Sequence, residues 1–174
     1  MNESINFLRQ AIPGRLSMVY GAVLKQYNLC MSFNMKASAF DGFDTDGMSG
    51  MYEDGVIYVN ITYSHIEKLV RAQDTGNMYD TITKVLEFYD CIFAHELGHA
   101  VDVYKHHYDR IVADNHTELT IARMYYTSEV RAYANGKAYI APHLEARYDD
   151  LNMRNMQQYK DRLNAAYLKG GVFA

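Results

Sequence analysis

Residues 91–107 read CIFAHELGHAVDVYKHH. His95 and His99 are four residues apart, so on a helix they project from one face in successive turns. Two imidazoles so placed can bind one tetrahedral zinc ion. Glu96 lies about 100° around the same turn, badly placed to ligate that ion but able to reach a water bound to it. A metal brings such a water's pKa towards neutrality, and a carboxylate beside it can take the proton. The spacing therefore points to metal-assisted hydrolysis with Zn2+ as cofactor. The competing reading is two satisfied core histidines. Gly98 favours the metal reading. Glycine costs about 1 kcal/mol against alanine inside a helix, and close approach of another backbone is the usual reason to keep one.

A catalytic zinc needs a third protein ligand and an open fourth position. His106 and His107 are poor candidates if the helix continues, because two turns span about 10 Å. The metzincin arrangement, with Gly three and His six residues after the second ligand, is not met: Asp102 and Lys105 stand there. Glu118, nineteen residues after His99, competes with Glu129. If Asn115 caps a helix, Glu118 falls at its third position, where a capping box already accounts for a Glu. Glu129 sits mid-helix on a face shared with Ala122, Tyr125, Ala132, Tyr133 and Gly136. That face is small and apolar, suited to another helix, and a carboxylate there needs a cation. The expected ligand set is His95, His99 and Glu129, with Glu96 as general base. Asp102 is expected to support the ligands or pack the helix, and Cys91 to be buried.

These residues need elements to hold them. Residues 4–28 carry helical spacing, interrupted at Pro13-Gly14. LCMSFNM (29–35) reads as a strand. Asp54-Gly55 between apolar runs is a hairpin signal, and VIYVNI (56–61) is its second strand. Ser64 is the expected cap of a short helix, and DTGN (74–77) a turn. From Tyr79 to about His106, Ile82, Val85, Leu86, Tyr89, Ile92 and Phe93 recur at helical steps. A helix from Asn115 to about Ala141 follows, then a last one over about 144–168. The last carries a stripe of Leu144, Tyr148, Leu151, Tyr159, Leu163 and Ala166. The layout is α+β, with a small, mostly antiparallel sheet packed on the histidine-bearing helix and further helices after it.

At 174 residues, without low-complexity linkers, the chain reads as one domain over 1–174. A net charge of −4 without a basic cluster argues against a nucleic-acid partner. No window reaches the apolar length of a membrane span, and no secretory signal is seen, so the expected compartment is the cytoplasm. Two cysteines, Cys30 and Cys91, read as buried thiols in a reducing compartment. Residues 42–53 partly match a calcium-binding loop, but Gly42 stands at its first position; a loop beside a cleft is the stronger reading. His116 and His143 are expected at the surface or at caps.

HELGH followed by a Glu on a later helix resembles the gluzincin branch of zinc metallopeptidases. HELGHAVDVY is similar to the catalytic helix of the anthrax lethal factor and Pro-Pro endopeptidase family, and the size resembles minimal ImmA/IrrE-type gluzincins. The resemblance covers about residues 91–136. It implies a zincin-like fold, a peptide or protein substrate held extended along an edge strand, and VIYVNI as that strand. It also implies a tyrosine steadying the oxyanion about two turns before the Glu. That position is Ala122, and Tyr125 and Tyr126 are the nearest substitutes, with Tyr133 one turn beyond Glu129. Two other readings stay open: a zinc-fold protein that binds peptides with little turnover, and a zinc hydrolase of a non-peptide amide.

Overall fold

The computed structural model describes residues 2–34, 48–104 and 117–170. These form five α-helices and one three-stranded sheet, an α+β arrangement that is mostly helical. The order is α1 (Asn2–Gln26), β1 (Cys30–Asn34), β2 (Gly50–Glu53), β3 (Val56–Asn60), α2 (Tyr63–Ala72), α3 (Met78–Ala100), α4 (Glu118–Gly136) and α5 (Glu145–Gly170). Two 3-10 turns, Lys137–Tyr139 and Pro142–Leu144, join α4 to α5. The chain divides into two compact units, Met1–Glu96 and Leu97–Ala174, and the division falls inside α3.

In the first unit, α1 runs unbroken through Pro13, where the sequence suggested an interruption. Ile5, Leu8, Ile12, Leu16, Tyr20 and Leu24 form one buried stripe along it. Burying such side chains is worth about 2 kcal/mol each, and the stripe together outweighs the roughly 3 kcal/mol cost of an interior proline. Arg15 grips Asp90 of α3 with two donors, Nε and Nη2, at 2.9 and 2.6 Å from Oδ2. The Tyr20 hydroxyl donates to the Asp90 carbonyl at 3.0 Å, and its ring lies 4.7 Å from Phe93.

The sheet order is β1-β3-β2. β3 pairs parallel with β1 and antiparallel with β2, so the sheet is mixed rather than mostly antiparallel. The β2–β3 hairpin turns at Asp54 and Gly55, both at positive φ (45° and 83°), which is the two-residue turn that an Asp-Gly pair favours. VIYVN is therefore the central strand. The edge-strand expectation for it fails, because both its sides are already hydrogen-bonded to neighbours. Among the described strands the edges are β1 and β2. Ile57 and Val59 point into the core, and the buried Tyr89 hydroxyl of α3 donates to the Asn60 carbonyl at 2.6 Å.

Local capping differs from expectation in two places. Thr62, not Ser64, caps α2, its side chain accepting from the His65 amide at 3.3 Å. Thr117 caps α4 by accepting from the Thr120 amide at 3.2 Å. That makes Glu118 the first helical residue rather than the third, while Asn115 lies outside the described residues. The expected turn at 74–77 is present, with Gly76 at φ 78° and Asn77 accepting from the Tyr79 amide at 2.9 Å. Cys91 is buried as expected, but Cys30 is exposed. No helix among the described residues is long and apolar enough to cross a membrane.

Candidate metal centre

α3 carries His95 and His99 one turn apart, and it ends at Ala100, not near His106. Asp102 explains the stop. Its carboxylate accepts the Tyr104 amide at 3.0 Å and two Arg131 donors, Nε at 2.9 and Nη2 at 2.7 Å, which fixes the chain in a turn just past the helix. The premise of a helix continuing through His106 therefore fails. His106, His107 and His116 lie outside the described residues, as do residues 42–47 of the 42–53 segment, whose last four residues form β2.

Asp102 is a packing residue in the sense the sequence suggested. Its side chain is 1% exposed, and Arg131, its partner, sits two residues after Glu129 on α4. The Arg131 guanidinium also stacks 4.2 Å from the centre of the Tyr104 ring. Burial pushes the Asp102 carboxyl up. The hydrogen bonds from Arg131 and Tyr104, with the Arg131 charge, outweigh that and hold it below the usual carboxylate range.

Gly98 permits a backbone-to-backbone approach in the second unit. A Cβ built on it would overlap the Ala132 carbonyl oxygen and come within 2.8 Å of the Gly136 amide nitrogen. Asn135 adds a hydrogen bond from its Nδ2 to the Gly98 carbonyl at 3.3 Å. Buried Ala122, Ala132 and Gly136 make the small face of α4 that this contact uses. On that same face sits Glu129, 8% exposed.

One ligand atom each of His95, His99 and Glu129 lie within 4.8 Å of one another. His99 Nε2 is 3.4 Å from Glu129 Oε1. Two donors, each about 2.1 Å from one tetrahedral ion, are about 3.4 Å apart. The donor set, two imidazoles and a carboxylate, is the borderline-hard mixture that suits zinc and related divalent ions. These residues fit a three-ligand metal centre. Glu118, the competing third ligand, instead accepts from Lys169 Nζ at 3.1 Å on the exposed surface.

The remaining site candidates take clear positions. Glu96 packs against the start of β2. A Cβ on Gly50 would sit 3.0 Å from Glu96 Cγ and 2.7 Å from Ile92 Cγ2. Tyr125 and Tyr126 are half-buried on α4 one turn before Glu129, and the Arg162 guanidinium lies 5.0 Å from the Tyr125 ring centre. The Tyr133 hydroxyl is committed elsewhere: it donates to Asp149 at 2.9 Å. His143 is exposed.

No family model, curated protein or solved structure matches this chain.

Sequence reasoning missed two supporting residues, Arg131 and Asn155. Asn155 Nδ2 donates to Glu129 Oε2 at 2.9 Å. A signal for it was present. The apolar stripe of α5 steps from Leu151 to Tyr159, and Asn155 occupies the skipped position.

Proposed function

We propose that the protein is a zinc-dependent metallopeptidase that hydrolyses peptide bonds. The observation that carries this reading is the buried group of His95, His99 and Glu129, with ligand atoms within 4.8 Å, on a helix that also bears Glu96. Bound zinc supplies Lewis-acid polarisation of a carbonyl and a water of lowered pKa. The three side chains hold the ion and leave room for a fourth, non-protein ligand. Glu96 takes the proton of the attacking water and passes it to the leaving amine. Tyr125 or Tyr126 donates its hydroxyl proton in a hydrogen bond to the developing oxyanion.

The substrate lies extended along β2. Among the described strands β2 is an edge, so its outward backbone groups can pair with a peptide by strand addition. Its first residue, Gly50, touches Glu96, so a peptide in that register runs past the proton carrier. The role first expected of VIYVN falls to GMYE for this reason.

The test combines metal analysis with cleavage. Wild-type protein should hold one zinc per chain and cut members of a peptide library that Glu96→Ala leaves intact. Glu129→Ala should lose stoichiometric zinc. Zinc retained in Glu129→Ala would remove that ligand, and a wild type that cleaves nothing would reduce the protein to a metal-bound peptide binder.

A further inference from the structure

Glu129 uses its two carboxylate oxygens differently. Oε1 faces His99 Nε2 at 3.4 Å, and Oε2 accepts from Asn155 Nδ2 at 2.9 Å. The direction of the second bond is fixed by chemistry. An ionised carboxylate only accepts, so the amide must present its nitrogen. Gln158 supports that orientation from one turn further along α5, its Nε2 donating to Asn155 Oδ1 at 2.6 Å. The result is a chain of hydrogen bonds, Gln158 to Asn155 to Glu129, ending on Oε2.

Asn155 is half-buried and lies where the apolar stripe of α5 would otherwise place a hydrophobic residue. A polar side chain at such a position needs a partner, and here the partner is a buried carboxylate. We infer that Asn155 is the positioning residue of the metal centre: it ties down Oε2 and presents Oε1 of Glu129 to the ion as a single-oxygen ligand. This rests on the metal-site reading above. Without the amide, Oε2 loses this hydrogen bond, and the preference for meeting the ion through Oε1 alone weakens. Outer hydrogen bonds of this kind typically change metal affinity 10- to 100-fold.

The test measures Zn2+ affinity by competition with a chelator for wild type, Asn155→Leu and Asn155→Ser. It also records the visible absorption of the Co2+-loaded proteins, which reports coordination geometry. Both variants should bind Zn2+ about 10- to 100-fold more weakly and give an altered Co2+ spectrum, with the metal-free melting temperature near that of wild type. Should Leu impair folding, Ser, which stays polar but cannot span the gap, decides alone. Wild-type affinity together with a wild-type Co2+ spectrum in the folded variants overturns the inference while leaving the metal centre standing. A wild type that binds no Zn2+ overturns the metal centre itself, and the role of Asn155 with it.

Discussion

Gly98 in the last turn of α3 lies against the backbone of Ala132 in α4, so closely that a Cβ would overlap the Ala132 carbonyl oxygen. The obstruction is backbone, not the movable end of a side chain, so nothing local can yield. Gly98 neighbours the candidate ligand His99, and Ala132 lies three residues after Glu129. The close approach therefore sets the spacing between His99 and the Glu129 carboxylate. Gly98→Ala should destabilise the fold by about 3 kcal/mol, the upper end of ordinary overpacking costs, despite alanine's better helix propensity. It should also weaken Zn2+ binding in whatever protein folds. Chemical denaturation and metal analysis check both; a neutral or stabilising substitution would mean that the two backbones are not held at this distance.

The Asp102–Arg131 pair predicts an acid-dependent stability. The Asp102 carboxyl is held below its ordinary value of 3.8. A carboxyl depressed on folding contributes stability that is fully present above the unfolded value and disappears as the pH falls through the folded one. Asp102→Asn should therefore lower stability at pH 7 by about 2 kcal/mol, a figure below that for a sealed pair because Arg131 is 34% exposed and can hydrate. The gap between variant and wild type should narrow as the pH falls below 3.8. Denaturant midpoints across pH for both proteins test this, and parallel curves would rule it out.

Much of the candidate site was legible because its signals are local. HELGH fixes two imidazoles on one helix face, and a lone carboxylate on the small face of α4 marks Glu129. The same logic reaches Asn155, the polar interruption of the α5 stripe, though only once the partner helix is known. What stayed hidden depends on pairings between distant segments. The place of VIYVN in the sheet depends on β1, and nothing in either strand announces a parallel partner. The end of α3 is set by Asp102 meeting Arg131, twenty-nine residues on. The continuity of α1 through Pro13 is likewise a packing outcome, since local propensity alone argues for a break.

Metal addition should stabilise the protein through Glu129. A ligand that binds only the folded state at 100 times its Kd adds about 2.7 kcal/mol. For a chain of this size that corresponds to a rise in Tm of about 5 to 10 °C. Wild type freed of metal by a chelator should show this rise on titration with Zn2+. Glu129→Ala should show little of it, and Glu118→Ala should behave as wild type. Equal Zn2+-induced shifts in wild type and Glu129→Ala would place the metal elsewhere.

Gly50 provides a way to disturb Glu96 without touching a metal ligand. A methyl group there would press on Ile92 Cγ2 at 2.7 Å and on Glu96 Cγ at 3.0 Å. The 2.7 Å overlap is with Ile92, which is stiff about its first torsion and must shift with its turn of α3; Glu96 at 3.0 Å gives by a few tenths of an ångström. If Glu96 is the general base proposed above, misplacement by about 1 Å would cost on the order of 100-fold in rate, and a shift of a few tenths of an ångström correspondingly less, about 10-fold at most. Gly50→Ala should therefore fold with a loss of about 1 to 2 kcal/mol. It should bind Zn2+ like wild type and cleave peptides up to about 10-fold more slowly in kcat. Zinc affinity, denaturant stability and kcat measured on one preparation separate these effects. A variant with normal kcat would show that Glu96 does not act from the position it holds beside β2.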